Sequence, residues 1–217
     1  LSVYDIFGAF STGAALVMVC DARDCSEIVS LLAEKKITVW NSVPVICSIV
    51  VQHMLERGMK DSLSLRQIML SGDWIPLNKA KIMSLGGATE ASIWSIYYEI
   101  GEVKPAWKSI PYGMPLKNQT MYVLNFAGEL CPMDVVGEIY IGGVGVAQGY
   151  CGDTEKTEAA FIQHDHLGRI YKTGDMGVLR KEGYIEFLGR IDNQVKIRGY
   201  RIELGEIESA INNVPGI

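Results

Sequence analysis

The chain has 217 residues, 48% of them hydrophobic, so it is long enough for one large domain with a substantial core. Twenty Lys and Arg against 25 Asp and Glu give a net charge of −5, which argues against nucleic acid as the main partner. No apolar run reaches the roughly 18 residues of a membrane span, and no secretory signal opens the sequence. The five cysteines form no C-x-x-C pair, which favours free thiols and a cytoplasmic location.

The first hundred residues alternate between helical and strand patterns. Helices are predicted at SVYDIFGAF, CSEIVSLLAEKK and VICSIVVQHML. Short strands are predicted at AALVMVC, ITVWNSVP and LRQIMLSG. This alternation predicts an α/β fold with a parallel sheet and crossover helices.

One predicted connection is unusually short. The stretch LSGDWIPLNKAKIMSLGG passes from strand to strand, whereas a parallel crossover usually needs about a dozen residues or more. Either the crossover helix is absent, or residues are missing from the sequence between Ile75 and Lys81. We favour the second explanation.

After about residue 105, short strands bounded by Gly, Asp and Asn replace the alternating pattern. They are QTMYVLN, VGEIYIGG, RIYKTGD, GVLRKEG and YIEFLGRID, and they predict β-hairpins or a small β-barrel-like region. A helix is predicted at DTEKTEAAF, where Asp153 and Thr154 are suitable N-cap residues. A last helix is predicted at IELGEIESAINN.

The stretch SLGGATEAS, residues 84–92, could bind a phosphorylated ligand. Two glycines allow a ligand to approach the backbone closely, the Thr89 hydroxyl can bond a phosphate oxygen, and the Glu90 carboxylate can hold Mg²⁺. The same residues also suit a simple turn before a capped helix. Taken alone, they favour the turn.

Two further motifs place polar residues at strand ends. Asp175 in YKTGD could accept hydrogen bonds from a ribose diol, and Arg190 in LGRID could contact a phosphate or ribose. Asp192 lies at the glycine-bounded turn that follows. Each signal is weak alone, because Asp is common in turns.

Two other features have simpler explanations. The glycine-dense segment 137–150 lacks the Lys of a Walker loop and the strand–helix context of a dinucleotide fingerprint, so it is interpreted as a structural loop. His164 and His166 could form a metal pair, but two histidines beside a glycine-containing loop are more often solvated.

Taken together, the motifs resemble the adenylation domains of nonribosomal peptide synthetases, within the adenylate-forming enzymes. The matching stretches are LSVYDIFGAFSTGAALVM, GGATE, GEIYIGG, YKTGD and GRIDNQVKIRGYRIELGEIE. They extend from Leu1 to about Glu208, and the last is the most specific. The resemblance implies a partial adenylate-forming fold. Residues 1–191 would form the C-terminal part of the large subdomain, and residues 192–217 the hinge and the start of a small C-terminal α+β subdomain.

The resemblance also implies roles for individual residues. Asp175 would bind the ribose hydroxyls and Arg190 would help to hold the nucleotide. Asp192 would be the hinge. Thr89 would contact the AMP phosphate and Glu90 would coordinate Mg²⁺. The nucleotide site would be completed by Ser84, Gly86, Gly87, Ala88 and Phe187, with Gly86-Gly87-Ala88 in place of the usual Tyr-Gly-Pro.

The implied reaction is the ATP-dependent activation of an amino acid as an aminoacyl-adenylate. The acyl group would then pass to the phosphopantetheine thiol of a carrier domain. ATP and Mg²⁺ are the implied cofactors, and neighbouring synthetase domains are the implied partners, joined in some family members by a small activator protein. The family's phosphate-wrapping loop and its catalytic lysine are expected before Leu1 and after Ile217. The 217 residues alone are therefore expected to show little or no adenylation.

The position of each motif also implies a substrate pocket. Its lining would be Leu1, Tyr4, Asn41, Met69, Ser71, Leu85, Ile93 and Trp94. The large side chains leave room for a small substrate, Asn41 and Ser71 add polar contacts, and the set resembles that of cysteine-activating members. L-cysteine is therefore the expected substrate, followed by serine or another small amino acid. Core packing is the alternative role for Met69 and Leu85.

Two other functions remain open from the sequence. One is a stand-alone acyl- or aryl-CoA ligase, which would use coenzyme A as its thiol acceptor. The other is a non-catalytic relative that acts as a docking scaffold. The presence of Thr89, Glu90, Asp175 and Arg190 argues against a decayed relative.

Overall fold

The structure is a computed structural model, and its description covers most of the chain. The described residues are 2–59, 63–71, 82–104, 107, 109–191, 194–197, 200–203, 207 and 211. No helix within these residues is long and apolar enough to cross a bilayer. All five cysteines are free thiols, as predicted.

The first sheet has five strands and is flanked by helices. The helices are α1 (Ser2–Ser11), α2 (Cys25–Glu34) and α3 (Pro44–Glu56). The strands are β1 (Val39–Ser42), β2 (Gln67–Ser71), β3 (Ile82–Gly86), β4 (Ile96–Ile100) and β5 (Met114–Pro115), in that spatial order. β1, β2 and β3 run parallel, whereas β4 and β5 are antiparallel to their neighbours.

Local chemistry explains where the helices of this layer begin. The Asp24 side chain accepts hydrogen bonds from the backbone N–H groups of Ser26 and Glu27, and so caps α2. α3 begins at Pro44, whose missing N–H costs nothing in the first helical turn. The two helices then pack together through Ile28, Val29, Leu32, Val50 and Met54.

The second sheet is antiparallel. Its strands are β6 (Gln119–Leu124), β7 (Val136–Gly143), β8 (Phe161–His164), β9 (Gly168–Leu179) and β10 (Ile185–Arg190). Their order is β10-β9-β7-β6, and β8 pairs with the first part of β9. The helix α4 (Thr154–Ala160) precedes β8, and a separate hairpin joins β11 (Gln194–Ile197) to β12 (Tyr200–Glu203).

The two sheets share a core. Ile96 of β4 is fully buried and packs with three apolar residues of the second sheet, namely Val123, Ile139 and Ile185. The turn between β3 and β4 and the strands β6, β7 and β10 are thereby held side by side. This packing brings the GGATE and TGD motifs to the same region.

The mixed α/β fold is confirmed, and so is the predicted N-cap of α4, where Asp153 accepts from the Lys156 N–H. The barrel-like prediction needs correction. Over the described residues the second sheet is open, because β6 and β10 are the two ends of its strand order and do not pair with each other, although Ile185 of β10 makes one isolated bridge to Gly113. RIYKTGD and GVLRKEG are also not separate strands, because both pair with β7 as parts of the continuous β9.

The strand predicted at AALVMVC is wrong. Residues 14–20 adopt no regular structure, and Met18 is 80% exposed. A strand needs a neighbour for its backbone hydrogen bonds, and among the described residues none pairs with this segment.

Two further predictions concern segments that lie mostly outside the residues that the structure describes. The short crossover between Ile75 and Lys81 lies outside it, as does most of the predicted last helix. Ile202 and Glu203, which begin that stretch, belong to β12 instead.

The contact between the sheets can be tested through Ile96. Changing Ile96→Ala should reduce the free energy of unfolding by about 2–5 kcal/mol, because the change leaves a cavity where both sheets meet. Val144→Ala is the control, since Val144 is 83% exposed and its truncation should change stability by less than about 0.5 kcal/mol. Urea denaturation of both variants measures the difference, and equal stabilities would contradict the shared core.

Candidate functional site

Two irregularities in the second sheet place Asp175 and Arg190 opposite each other. Between the pairs Glu138↔Met176 and Tyr140↔Lys172 the register shifts, so the three residues 173–175 bulge from β9. A second shift in β10, between Phe187 and Gly189, aligns Arg190 with Asp175. Bulges of this kind redirect side chains and are common beside active sites.

Asp175 and Arg190 form a mostly buried ion pair. Arg190 Nη1 lies 2.8 Å from Asp175 Oδ1, and the two side chains are only 15% and 12% exposed. The Ile191 N–H donates to the Gly174 carbonyl, so the backbones of the two motifs are also joined. The sequence motifs YKTGD and LGRID therefore meet in space.

The TGD bulge is held by hydrogen bonds on both sides. Thr173 Oγ1 donates to the Ile139 carbonyl at 2.6 Å and accepts from the Asp175 N–H at 3.0 Å. The Gly174 N–H donates to Glu138 Oε1 at 3.2 Å. Because Thr173 and Glu138 are themselves buried, the position of Asp175 is fixed by the fold.

Tyr112 joins this ion pair to the GGATE motif. A Cβ atom added at Gly86 would lie 2.1 Å from Tyr112 Cε2, so only glycine lets the ring sit there. The Tyr112 ring also lies 5.9 Å from that of Phe187, centroid to centroid. The sequence gives no signal for Tyr112, because its position depends on contacts between distant segments.

Several neighbouring groups affect the pKa of the Tyr112 phenol. Desolvation by the surrounding protein raises the pKa of the Tyr112 phenol, and the nearby carboxylate of Asp175 raises it further. A hydrogen bond with the Gly87 backbone and the charge of Arg190 act in the opposite direction, but the net shift is upward. The Tyr112 phenol therefore bonds the Gly87 backbone and lies within electrostatic range of the ion pair.

The rest of the GGATE motif forms a tight turn. Thr89–Ala91 is a single 3₁₀ turn, with Thr89 exposed and Glu90 half-buried. Ser92 and Ile93 follow with φ values of 63° and 70°. A β-branched residue rarely adopts positive φ, so this backbone is strained, as is often found at functional sites.

Five of the other nucleotide-site predictions concern β3, the turn after it and β10. Ser84 lies on β3 opposite Tyr98, and Phe187 lies on β10 opposite Gly177. Gly86 packs on the Tyr112 ring and the Gly87 backbone hydrogen-bonds the Tyr112 phenol, whereas Ala88 packs with the cluster that contains Ala91. Asp192, the predicted hinge, lies outside the described residues.

Most predicted substrate-pocket residues fall into close pairs. Asn41 is the strand partner of Met69, and Ser71 is that of Leu85. The rings of Tyr4 and Trp94 lie 4.7 Å apart, and Ile93 is adjacent to Trp94 in the chain. Leu1 lies outside the described residues.

An open cavity of about 630 Å³ includes part of this set. Tyr4, Asn41 and Met69 line it, together with residues of 14–19 and 35–40, but Ser71, Leu85, Ile93 and Trp94 do not. Asn41 Nδ2 donates to Asp5 Oδ1 at 2.9 Å. Within the described part of the chain, Asn41 Oδ1 and Trp94 Nε1 are buried without hydrogen-bond partners.

The first histidine of the predicted pair hydrogen-bonds within the fold. His164 Nε2 donates to the Gly128 carbonyl at 2.9 Å, and its Nδ1 accepts from the N–H groups of His166 and Leu167. Both ring nitrogens of His164 are therefore used. Over the described residues, no group of three or more His, Cys, Asp and Glu side chains could hold a metal ion.

The chain resembles parts of much larger proteins. It is 56% identical to bacitracin synthase 1 of Bacillus licheniformis, covering 97% of this chain and 4% of that protein. The alignment has 221 positions, more than the 217 residues present here, so the relative carries residues in this span that this chain lacks.

Solved structures show the same fold. A structure of PA1221, a nonribosomal peptide synthetase protein with adenylation and PCP domains, matches with a TM-score of 0.87 at 25% identity, covering 100% of this chain and 46% of that one. The nonribosomal peptide synthetase FmoA3, with α-methyl-L-serine-AMP bound, matches with a TM-score of 0.82 at 33% identity, covering 100% of this chain and 26% of that one.

The close packing of Gly86 on Tyr112 predicts that no side chain larger than that of glycine fits at position 86. Gly86→Ala should destabilise the fold by about 1–3 kcal/mol, because the new methyl group would overlap the ring and also lie 2.9 Å from Ile96 Cγ2. Gly101→Ala is the matched control, since no atom lies within 4 Å of the added Cβ. Urea denaturation distinguishes them, and an unaffected Gly86 variant would contradict the Tyr112 contact.

A family model decides the classification. The model for AMP-binding enzyme matches residues 1–151, which is more than half of the chain. The chain therefore belongs to the AMP-binding enzyme family, and its relatives place it with the adenylation domains of nonribosomal peptide synthetases.

Proposed function

We propose that the protein containing this chain uses ATP to activate an amino acid as an aminoacyl-adenylate. The observation that carries the proposal is that Tyr112 packs on Gly86 of the GGATE motif and on Phe187, three residues before Arg190, which is paired with Asp175. Membership of the AMP-binding enzyme family supports the same activity.

In this proposal the ion pair holds the nucleotide. The Asp175 carboxylate accepts hydrogen bonds from the vicinal ribose hydroxyls, and the Arg190 guanidinium contacts the ribose or phosphate. Phe187 lines the same site, with Gly86 and Gly87 against the adenine and Ser84 and Ala88 beside them. Adenylation brings two anions together, so prepositioned cationic groups lower its barrier.

Thr89 and Glu90 are proposed to act on the phosphates. Thr89 is exposed and can donate its hydroxyl hydrogen to a phosphate oxygen. Glu90 supplies a hard oxygen ligand that suits Mg²⁺, which is usually bound by one or two carboxylates together with substrate phosphates. When bound, Mg²⁺ would neutralise charge on the phosphates and on the pyrophosphate that leaves.

L-cysteine is the proposed substrate. The pairs Asn41–Met69 and Ser71–Leu85 place one polar and one apolar side chain next to each other. Tyr4 and Trp94 lie side by side, and by motif position the set resembles that of cysteine-activating members. FmoA3 has been solved with the adenylate of a small amino acid, α-methyl-L-serine, which supports a small substrate and keeps serine as the alternative.

The proposed second step transfers the acyl group to a carrier-domain phosphopantetheine thiol. PA1221 combines adenylation and PCP domains in one chain, which supports a carrier domain as the partner. Asp192 would be the hinge for this step. Neighbouring synthetase domains and a small activator protein are further proposed partners, whereas a free coenzyme A acceptor would indicate a ligase instead.

The nucleotide role of Asp175 can be tested in the complete adenylation domain. Asp175→Asn should raise the KM for ATP about 10- to 100-fold in pyrophosphate exchange, because hydrogen bonds to a charged acceptor are lost. The control is Asp134→Asn, which removes an exposed carboxylate paired with Arg180 and should change the KM little. An unchanged KM in a folded Asp175→Asn variant would contradict the assignment.

Substrate choice can be tested with the twenty amino acids in the same assay. Cysteine should give the fastest exchange, followed by serine, because Tyr4 and Trp94 exclude large side chains. The margin between these two is expected to be small, since one small group in a pocket contributes only about 1–3 kcal/mol. Preference for a large aromatic amino acid would contradict the proposed pocket.

A further inference from the structure

We propose that Tyr150 is a positioning residue that holds Glu90 in the orientation needed for Mg²⁺. This inference rests on the proposed function. It assigns a role to the last part of the glycine-dense segment, residues 144–150 (the glycine-dense loop), which the sequence patterns interpret only as structural. Tyr150 does not touch the nucleotide in this proposal. It acts through the Glu90 carboxylate.

The glycine-dense loop is bonded directly to the turn that carries Glu90. The Tyr150 hydroxyl donates to Glu90 Oε1 at 2.8 Å. The Ala147 N–H donates to the Glu90 carbonyl at 2.8 Å, and Ser92 Oγ donates to the Gly145 carbonyl at 2.9 Å. Backbone and side chain of Glu90 are therefore both held by the same loop.

Tyr150 is itself fixed from the other side. Its N–H donates to Thr157 Oγ1 at 2.9 Å, in the middle of α4. Gly149 has a φ of +148°, and an added Cβ there would lie 2.3 Å from Thr157 Cγ2. This close approach requires glycine, which explains one glycine of the loop by packing and not by phosphate binding.

Ring contacts further restrict the Tyr150 side chain. The ring lies 5.5 Å from that of Phe161 in an edge-on arrangement, and Lys156 Nζ lies 4.9 Å from its centroid. A phenylalanine would keep both contacts. The change Tyr150→Phe therefore removes only the hydroxyl that donates a hydrogen bond to Glu90.

Arg169 supports the middle of the loop. Its Nη2 donates to the Gln148 carbonyl at 2.6 Å, and its guanidinium lies 5.1 Å from the Phe161 ring centroid. The loop is thus anchored to β8, β9 and α4 before it reaches Glu90. A rigid support of this kind can hold a flexible glutamate side chain in one orientation.

Orientation matters because of the metal. Mg²⁺ demands near-ideal octahedral geometry at short distances, so a carboxylate that rotates binds it less well. Groups that hydrogen-bond a metal ligand commonly change metal affinity by 10- to 100-fold when they are removed. We therefore expect loss of the Tyr150 hydroxyl to raise the Mg²⁺ requirement and to leave metal-free nucleotide binding unchanged.

The experiment measures binding of a fluorescent ATP analogue to the complete adenylation domain, without amino acid, across a Mg²⁺ titration. Tyr150→Phe should raise the Mg²⁺ concentration at half-maximal binding roughly 10-fold. In EDTA its affinity for the analogue should equal that of the wild type. Tyr122→Phe is the matched control, since Tyr122 is half-buried on β6 in a different cluster, and it should behave as the wild type.

A double-mutant cycle tests whether Tyr150 acts through Glu90. Glu90→Gln and Glu90→Gln/Tyr150→Phe should show the same Mg²⁺ midpoint, because the hydroxyl has no further effect once the carboxylate is lost. Additive effects would overturn the inference, as would a Tyr150→Phe midpoint within twofold of the wild type. Equal loss of binding in EDTA and in Mg²⁺ would instead mean that Tyr150 supports only the fold.

The same experiment separates this inference from the proposed function. If the wild type binds the analogue with no Mg²⁺ dependence, the metal role of Glu90 fails, and the inference fails with it. If the wild type depends on Mg²⁺ and Tyr150→Phe does so equally, only the inference fails. Melting temperatures show whether Tyr150→Phe is folded. Comparing its binding in Mg²⁺ and in EDTA then shows, within this one variant, whether the change affects metal binding or the fold.

Discussion

The buried ion pair between Asp175 and Arg190 is the constraint on which the candidate site depends. Removing two charges from water is costly, and the pair is tolerated only when geometry and hydrogen bonds satisfy it. Thr173 contributes to both, since its carbonyl accepts from the Arg190 guanidinium and its hydroxyl fixes the Asp175 backbone by accepting from its N–H. An uninterrupted ladder would place Arg190 opposite residue 174, so the irregularity at Leu188 is what creates the pair.

Close packing around one aromatic residue makes the two sheets into one site. Tyr112 precedes Gly113, which bridges to Ile185 on β10, so the segment leading from β4 is attached to the second sheet. The Tyr112 ring then fills the space beside Gly86, where a side chain would not fit. Close packing, which resists compression, therefore helps to set the distance between the GGATE turn and the ion pair.

The sequence predicts elements well where periodicity and burial agree. α2 and β7 were expected from their patterns because their apolar residues face a core. The segment 14–20 failed because an apolar composition indicates burial, whereas a strand also requires a neighbouring backbone. Closure of the second sheet into a barrel could not be judged either, since it depends on whether the edges β6 and β10 meet.

The candidate site was predictable only in part for a related reason. Asp175 and Arg190 stand in recognisable motifs, and the structure pairs them. Tyr112 and Tyr150 stand in no motif that signals a role. Tyr150 reaches Glu90 across 60 residues of sequence, and nothing local to either residue records that contact. Contacts between distant segments determine which residues support a site, so patterns within a single sequence do not reveal them.

The glycine-dense loop shows how a neutral segment can serve a charged site. It carries no cation for a phosphate, but it offers the turn at Glu90 a backbone N–H, a carbonyl and a phenol hydroxyl. These groups keep a strained turn in place, including Ile93 at a φ of 70°, without altering the charge that the turn presents. Strain persists only where surrounding contacts enforce it, so the loop and the strained turn form one structural unit. The carboxylate is then oriented before any ligand arrives, which reduces the ordering cost of binding.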